Sequence, residues 1–289
     1  MILKDDRDYQ ILFLSSFLFL GILTRDWTLK PDLIIVIILT CLLTQWVLTS
    51  FVSWQNTPNH PQPWFNSLIN PLFIASWRSA LITALGLCLL LRANHYTTMI
   101  IAASLAIASK FLFRVNNKHF FNPANFGIIA TLILTQDAWV SPGQWGDDWW
   151  YLVLFLGTGG IILKRVGRWE TSAVFLGTYT LLETVRNVWL GWSGDVLIHH
   201  LMSGSLLLFA LFMLTDPRSI PNHHLSRLGW AVAIAILTFI LQHFWYLSTA
   251  IFWALFLLSP FTILLDYCWT APKFSWSINL QIINFEKTS

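Results

Sequence analysis

Charge is what this sequence has least of: Asp, Glu, Lys and Arg supply only 11% of its 289 residues, while 56% are hydrophobic and the mean hydropathy is +0.62. A chain so poor in charge cannot clothe the surface of a soluble domain, and its partner must be a lipid bilayer. Dense basic runs are missing too. The 17 Lys and Arg lie singly or in pairs and the formal net charge is +3, which argues against any nucleic-acid partner. Cysteine is equally scarce. Cys41, Cys88 and Cys268 stand far apart in apolar stretches, without the Cys-x-x-Cys spacing of an iron–sulfur cluster, zinc site or redox dithiol, and read as buried structural thiols. No glycine-rich fingerprint follows a strand, so any soluble nicotinamide donor must be handled by another subunit. Catalytic and metal-ligating residues are not expected.

Present instead are long apolar runs and many aromatics, 17 Trp and 22 Phe among them, as expected where indole rings settle at the lipid–water boundary. Crossing about 30 Å of hydrocarbon at about 1.5 Å per residue selects segments near 9–23, 33–53, 76–92, 96–114, 123–136, 149–164, 170–188, 197–215, 227–244 and 247–266. The expectation is an all-α integral membrane protein, a single polytopic domain over 1–289 with about ten transmembrane helices, the shorter ones tilted or broken. With the N-terminus inside, only Arg25, Lys30, Arg92 and Arg186 of all Lys and Arg fall outside, so both termini are predicted to be cytoplasmic. Lys4 and Arg7 precede the apolar run 9–23, but Gly21 to Arg25 offers no small-residue cleavage site, and the run reads as a retained helix.

Turn chemistry concentrates in two stretches on the cytoplasmic side, Asn116 to Asn125 and Thr215 to His224. Asn122-Pro123-Ala124-Asn125 opens the fifth apolar segment and Thr215-Asp216-Pro217 closes the eighth. Proline beside a capping residue starts or stops a helix at membrane depth, and paired interruptions in two halves of a chain point to a binding site between them.

These same residues carry a family likeness. SALITAL at 79–85, AIASK ending at Lys110 and FNPANFG at 121–127, followed by HLMSGS at 200–205 and FMLTDP at 212–217, resemble the RnfD/NqrB subunits over roughly residues 75 to 266. Those subunits show an apolar helix ending in Lys, an FNPAxxG motif, then LxSGG and FxATDP. The resemblance implies a fold similar to that of urea transporters, with ten helices in two inverted halves. It also implies a flavin, a role in electron transport within an ion-pumping respiratory complex, other membrane or peripheral electron-transfer subunits as partners, and a bacterial inner or internal membrane. The site residues it implies are Lys110, Asn122, Pro123, Asn125, Ser203, Gly204, Thr215, Asp216 and Pro217.

One departure stands out. The family joins FMN to a threonine in the loop between its fifth and sixth helices, whereas that connection here, Gln136 to Asp148, has no threonine and carries Asp137, Asp147 and Asp148 without a Lys or Arg. A phosphate there meets repulsion, so the flavin, FMN or riboflavin, is expected to be held non-covalently.

Each candidate also has a plainer reading. Asn122 and Asn125 offer amides to a flavin edge, or Asn122 simply caps a helix that Pro123 begins. Asp216 contacts the cofactor or takes part in proton transfer, or ends its helix beside Arg218. Lys110 belongs to the family pattern, or meets the helix C-terminus or snorkels to water. Glu183 and Arg186, one helical turn apart, are expected to pair, or to gate an outer vestibule. His199-His200 and His223-His224 make poor chelates because helical neighbours diverge by about 100°. Trp139, Trp145, Trp149, Trp150, Trp189 and Trp192 form an interfacial belt or a docking surface. At the level of the whole chain, the alternatives to electron transfer are a transporter or channel for flavin or another small solute, and a structural scaffold with a vestigial pocket.

Overall fold

The structure is a computed structural model and describes residues 5–24, 30–55, 71–141 and 149–274. One group of helices comprises α1 (Asp6–Thr24), α2 (Pro31–Gln55), α3 (Pro71–Leu90), α4 (Tyr96–Leu112) and α5 (Pro123–Leu134). The other comprises α6 (Trp149–Val166), α7 (Trp169–Trp189), α8 (Gly194–Leu201), α9 (Gly204–Leu208), α10 (His224–His243), α11 (Ala250–Leu258) and α12 (Phe261–Cys268), with α9 running on into a π-helical turn, Phe209–Met213. Within the first group α2 packs on α3 and α4, α4 on α5, and α1 on α3; within the second, α10 packs on α7 and α11. Contacts of α11 with α5 and of α6 with α1 join the two.

Two short antiparallel ribbons flank the bundle. β1 (Leu91–Ala93) pairs with β4 (Ala138–Val140), and β2 (Arg114–Val115) with β3 (Lys118–His119). The second turns through Asn116 and Asn117, at φ 53° and 63°, residues that tolerate the left-handed region a tight hairpin needs.

Apolar residues face outward as well as inward, as lipid allows. Ile35, Leu39, Leu43, Val47 and Phe51, four residues apart along α2, are all exposed, whereas the opposite stripe of Leu33, Ile37, Cys41, Gln45 and Thr49 is buried. A soluble protein would bury the first stripe and expose the glutamine. Inside, helices approach closely on small residues: a Cβ added to Gly127 of α5 would lie 2.7 Å from both the Ala102 carbonyl oxygen and the Ala106 Cβ of α4.

Among the described residues, length and apolarity qualify three helices to cross a bilayer alone, Pro31–Gln55, Leu72–Leu90 and His224–His243, and up to five if each bent pair counts as one span. That is fewer than the ten expected. α5, with 12 residues, rises only about 18 Å. The eighth and tenth apolar segments are not continuous helices: α8 and α9 meet at 49° across Met202 and Ser203, and α11 and α12 at 46° at Pro260, which cannot donate an interior helix bond. Among the cysteines, Cys41 and Cys88 are buried as expected but Cys268 is exposed at the end of α12.

Candidate functional site

A cavity lies between α1, α3, the start of α5 and the α9 π-turn with the loop that follows it. Asn122 sets one wall. It is the N-cap of α5, its side-chain oxygen accepting from the Asn125 backbone N–H at 3.1 Å, with Pro123 at the first helical position. Its other polar atom, Nδ2, donates to the Met213 carbonyl at 3.1 Å.

That second bond is explained by the π-turn opposite. A π-turn pairs residues five apart, as Leu214 N–H does with the Phe209 carbonyl at 2.8 Å, and disturbs the ordinary ladder. Side chains satisfy the neighbouring carbonyls: Ser172 donates to Ala210 at 2.5 Å, Thr215 to Leu211 at 2.8 Å, and Asn122 to Met213. Asn122 thus ties the start of α5 to the π-turn, while Thr215 bonds back within its own segment. Asn125 faces away from the cavity, donating to the Phe252 carbonyl of α11 at 3.1 Å.

The structure therefore gathers Asn122, Pro123, Asp216 and Pro217 on the cavity wall. Lys110 stands just behind it: rather than snorkelling to water it is buried and donates to the backbone and hydroxyl oxygens of Ser79, itself a lining residue, at 3.0 and 3.2 Å. Thr215 and Asn125 serve structure, and Ser203 and Gly204 begin α9 away from the cavity, with the Ser203 and Ser205 hydroxyls 2.9 Å apart.

Several lining residues were not singled out in the sequence. Arg7 is committed to Asp5, with Nη2 2.6 Å from the carboxylate, and to the Ala75 carbonyl. Burial would raise the Asp5 carboxyl, but the hydrogen bonds and charge of Arg7, with Arg78 beyond, hold it below its usual range. His119, placed by the β2–β3 hairpin, brings Nε2 to 3.6 Å from Asp216. Burial pulls the imidazole down; it would push Asp216 up, but His119 and the backbone N–H and charge of Arg218 outweigh it and keep that carboxyl low. Arg218 also donates to the Asn117 carbonyl at 3.2 Å. Gln10 of α1 is 7% exposed, lines the cavity, and has no side-chain hydrogen bond among the described residues. A lone glutamine in the apolar run of α1 was the available signal.

On the far side of the second helix group the expected Glu183–Arg186 pair does not form. Glu183 turns to His243 and His200 instead, and the Arg186 guanidinium lies over the Trp192 ring at 4.7 Å. Of the predicted belt, Trp139, Trp150, Trp189 and Trp192 are exposed; Trp145 and the side chain of Trp149 lie outside the described residues, as do Asp147 and Asp148. Asp137, the remaining acid of that loop, serves structure. It accepts from Thr98, Asn94 and the backbone N–H of His95. Desolvation would raise the carboxyl, but these bonds together outweigh it and hold the group well below its usual range.

Residues 134–275 match the model of the NQR2, RnfD, RnfE family, a stretch that holds α6 to α12 and leaves the FNPANFG motif outside. Similar proteins include the D-type component of the ion-translocating oxidoreductase complex of Halorhodospira halophila, 32% identical over 42% of this chain and 34% of the relative. The protein of the same description from Vibrio vulnificus is 28% identical over 51% of this chain and 41% of its own length, and that from Aeromonas hydrophila 27% over 41% and 34%. The chain thus spans about a third to two fifths of the curated relatives it matches.

Proposed function

We propose that this chain, whose residues 134–275 match the NQR2, RnfD, RnfE family, is a membrane subunit of an ion-translocating electron-transport complex and holds a flavin, FMN or riboflavin, non-covalently in the cavity between its two helix groups. In this reading the chain crosses a bacterial inner membrane about ten times, α1 to α5 and α6 to α12 form inverted halves with both termini cytoplasmic, and the remaining subunits supply the soluble donor site.

The observation that carries the flavin assignment is Gln10. Its side chain lines the slot and makes no hydrogen bond among the described residues, placing a polar group in a largely apolar wall, the composition of a small-molecule site. Its carboxamide offers one acceptor and two donors, the complement of an imide edge on a planar ring. Leu14, Ile82, Leu89, Leu208 and Phe212 supply apolar walls, and His119 and Asp216 polar groups at another part of the rim. A bound flavin would supply the chemistry, accepting and passing electrons. The chain's own residues orient it and exclude water, and the buried Lys110 charge behind Ser79 favours added negative charge in the slot.

Titrating riboflavin and FMN into the purified protein while following flavin fluorescence tests this. Saturable quenching at one flavin per chain is expected; fluorescence that follows free flavin throughout would remove the assignment.

A further inference from the structure

At the other end of the second helix group, three titratable side chains from three helices meet beside an open vestibule. Glu183 of α7 is buried, its side chain only 4% exposed, with Oε1 2.5 Å from Nε2 of His243 on α10 and Oε2 3.7 Å from Nδ1 of His200 on α8. The two imidazoles are parallel within 5°, with centroids 6.5 Å apart. From α7 the carboxylate also has Tyr179 one turn back, whose hydroxyl donates to Gln242 at 2.8 Å, and Arg186 one turn on, turned over the Trp192 ring. Exposure rises from Glu183 through His243 at 9% to His200 at 31%, and His200, His243 and Tyr246 line the vestibule with Arg186 and Trp192.

We propose that Glu183, His200 and His243 form a proton-binding site loaded from this vestibule. A buried carboxylate needs a partner, and an arginine would make that partnership permanent. Here Arg186 is within reach yet turned aside, and two imidazoles, side chains that can hold or release a proton, take its place. With both imidazoles neutral the trio carries one negative charge; one added proton cancels it, the state a low-dielectric site favours. The step balances: the outer nitrogen of His200 takes a proton from vestibule water, Nδ1–H passes one to the Glu183–His243 pair, and the site gains one proton. Among the described residues no group of three His, Cys, Asp or Glu has the arrangement to hold a metal ion. α8 leads across its bend into α9 and the π-turn, which lines the first cavity.

The test is proton uptake by the detergent-purified full chain, read with a pH-indicator dye as pH is stepped from about 8 to about 5. Glu183→Gln is expected to take up about one proton fewer per chain than the wild type, since His243 then has no buried charge to neutralise. Arg186→Gln leaves the trio intact and removes a nearby positive charge, so the uptake midpoint is expected to move to higher pH. Unchanged uptake in Glu183→Gln overturns the proposal. Should that variant not fold, an unmoved midpoint in Arg186→Gln overturns it instead.

Discussion

Replacing Asn122 isolates the joint between the two motifs. Its side-chain oxygen caps α5 and its amide nitrogen satisfies the Met213 carbonyl, each at 3.1 Å. Losing the cap costs about 0.5–2 kcal/mol, and leaving the buried Met213 carbonyl unsatisfied costs about 1–3 kcal/mol. Asn122→Ala loses both and is expected to lower the unfolding free energy by about 1.5–5 kcal/mol. Asn122→Ser keeps a cap but cannot reach Met213, and is expected to fall in between. Asn122→Asp keeps the acceptor, loses the donor, and sets a second carboxylate on the wall that Asp216 lines, so it should fare worse than serine. Reversible unfolding in mixed micelles titrated with dodecyl sulfate, followed by helical circular dichroism, measures all three. Equal values for serine and alanine would mean that the cap contributes nothing, and a cost below about 0.5 kcal/mol for alanine would refute both bonds.

The same assay reads the close contact of α4 and α5. Gly127→Ala forces a methyl against the Ala102 carbonyl and Ala106, and a loss of about 1–3 kcal/mol is expected; wild-type stability would show that the helices part freely. Asp137, held below the ordinary carboxylate value of 3.8 by its hydrogen bonds, binds its proton more weakly folded than unfolded. The stability it contributes is therefore full above the unfolded value and is lost as pH falls below that value and through the folded one. Asp137→Asn is expected to flatten that acid limb, and an identical limb in the variant would contradict the assignment. Gln10→Leu keeps size and removes the amide that lines the cavity, so it should fold about as well as the wild type while weakening flavin binding by roughly tenfold, the contribution of one or two hydrogen bonds; unaltered binding would take Gln10 out of the site.

Much of the helical framework was legible because lipid imposes it: apolar runs are the feature a bilayer selects, and each such run lies largely on helix. The breaks were less so. Pro260 sits in plain view, yet the surrounding run reads as one span until α11 and α12 are seen at 46°, and nothing in composition marks Phe209–Met213 as a π-turn. Local signals placed Asn122 and Pro123 correctly, since a cap and its proline are neighbours in sequence. Gln10, His119 and Arg218 were invisible as a set because α1, the β2–β3 hairpin and the loop after the π-turn converge only in three dimensions. The Glu183 expectation failed for the converse reason: helical spacing offered Arg186 as a partner, but His243 and His200, from other helices, hold the carboxylate.

The most direct test of the flavin site is the absorbance spectrum of the detergent-purified protein before and after acid precipitation. The account predicts flavin bands in the folded protein and their transfer to the acid supernatant, with none left on the pellet. Pigment that stays with the precipitated protein would contradict non-covalent binding, and a colourless protein that also fails to take up added flavin would contradict the cofactor site itself and favour a solute pathway through the same cavity.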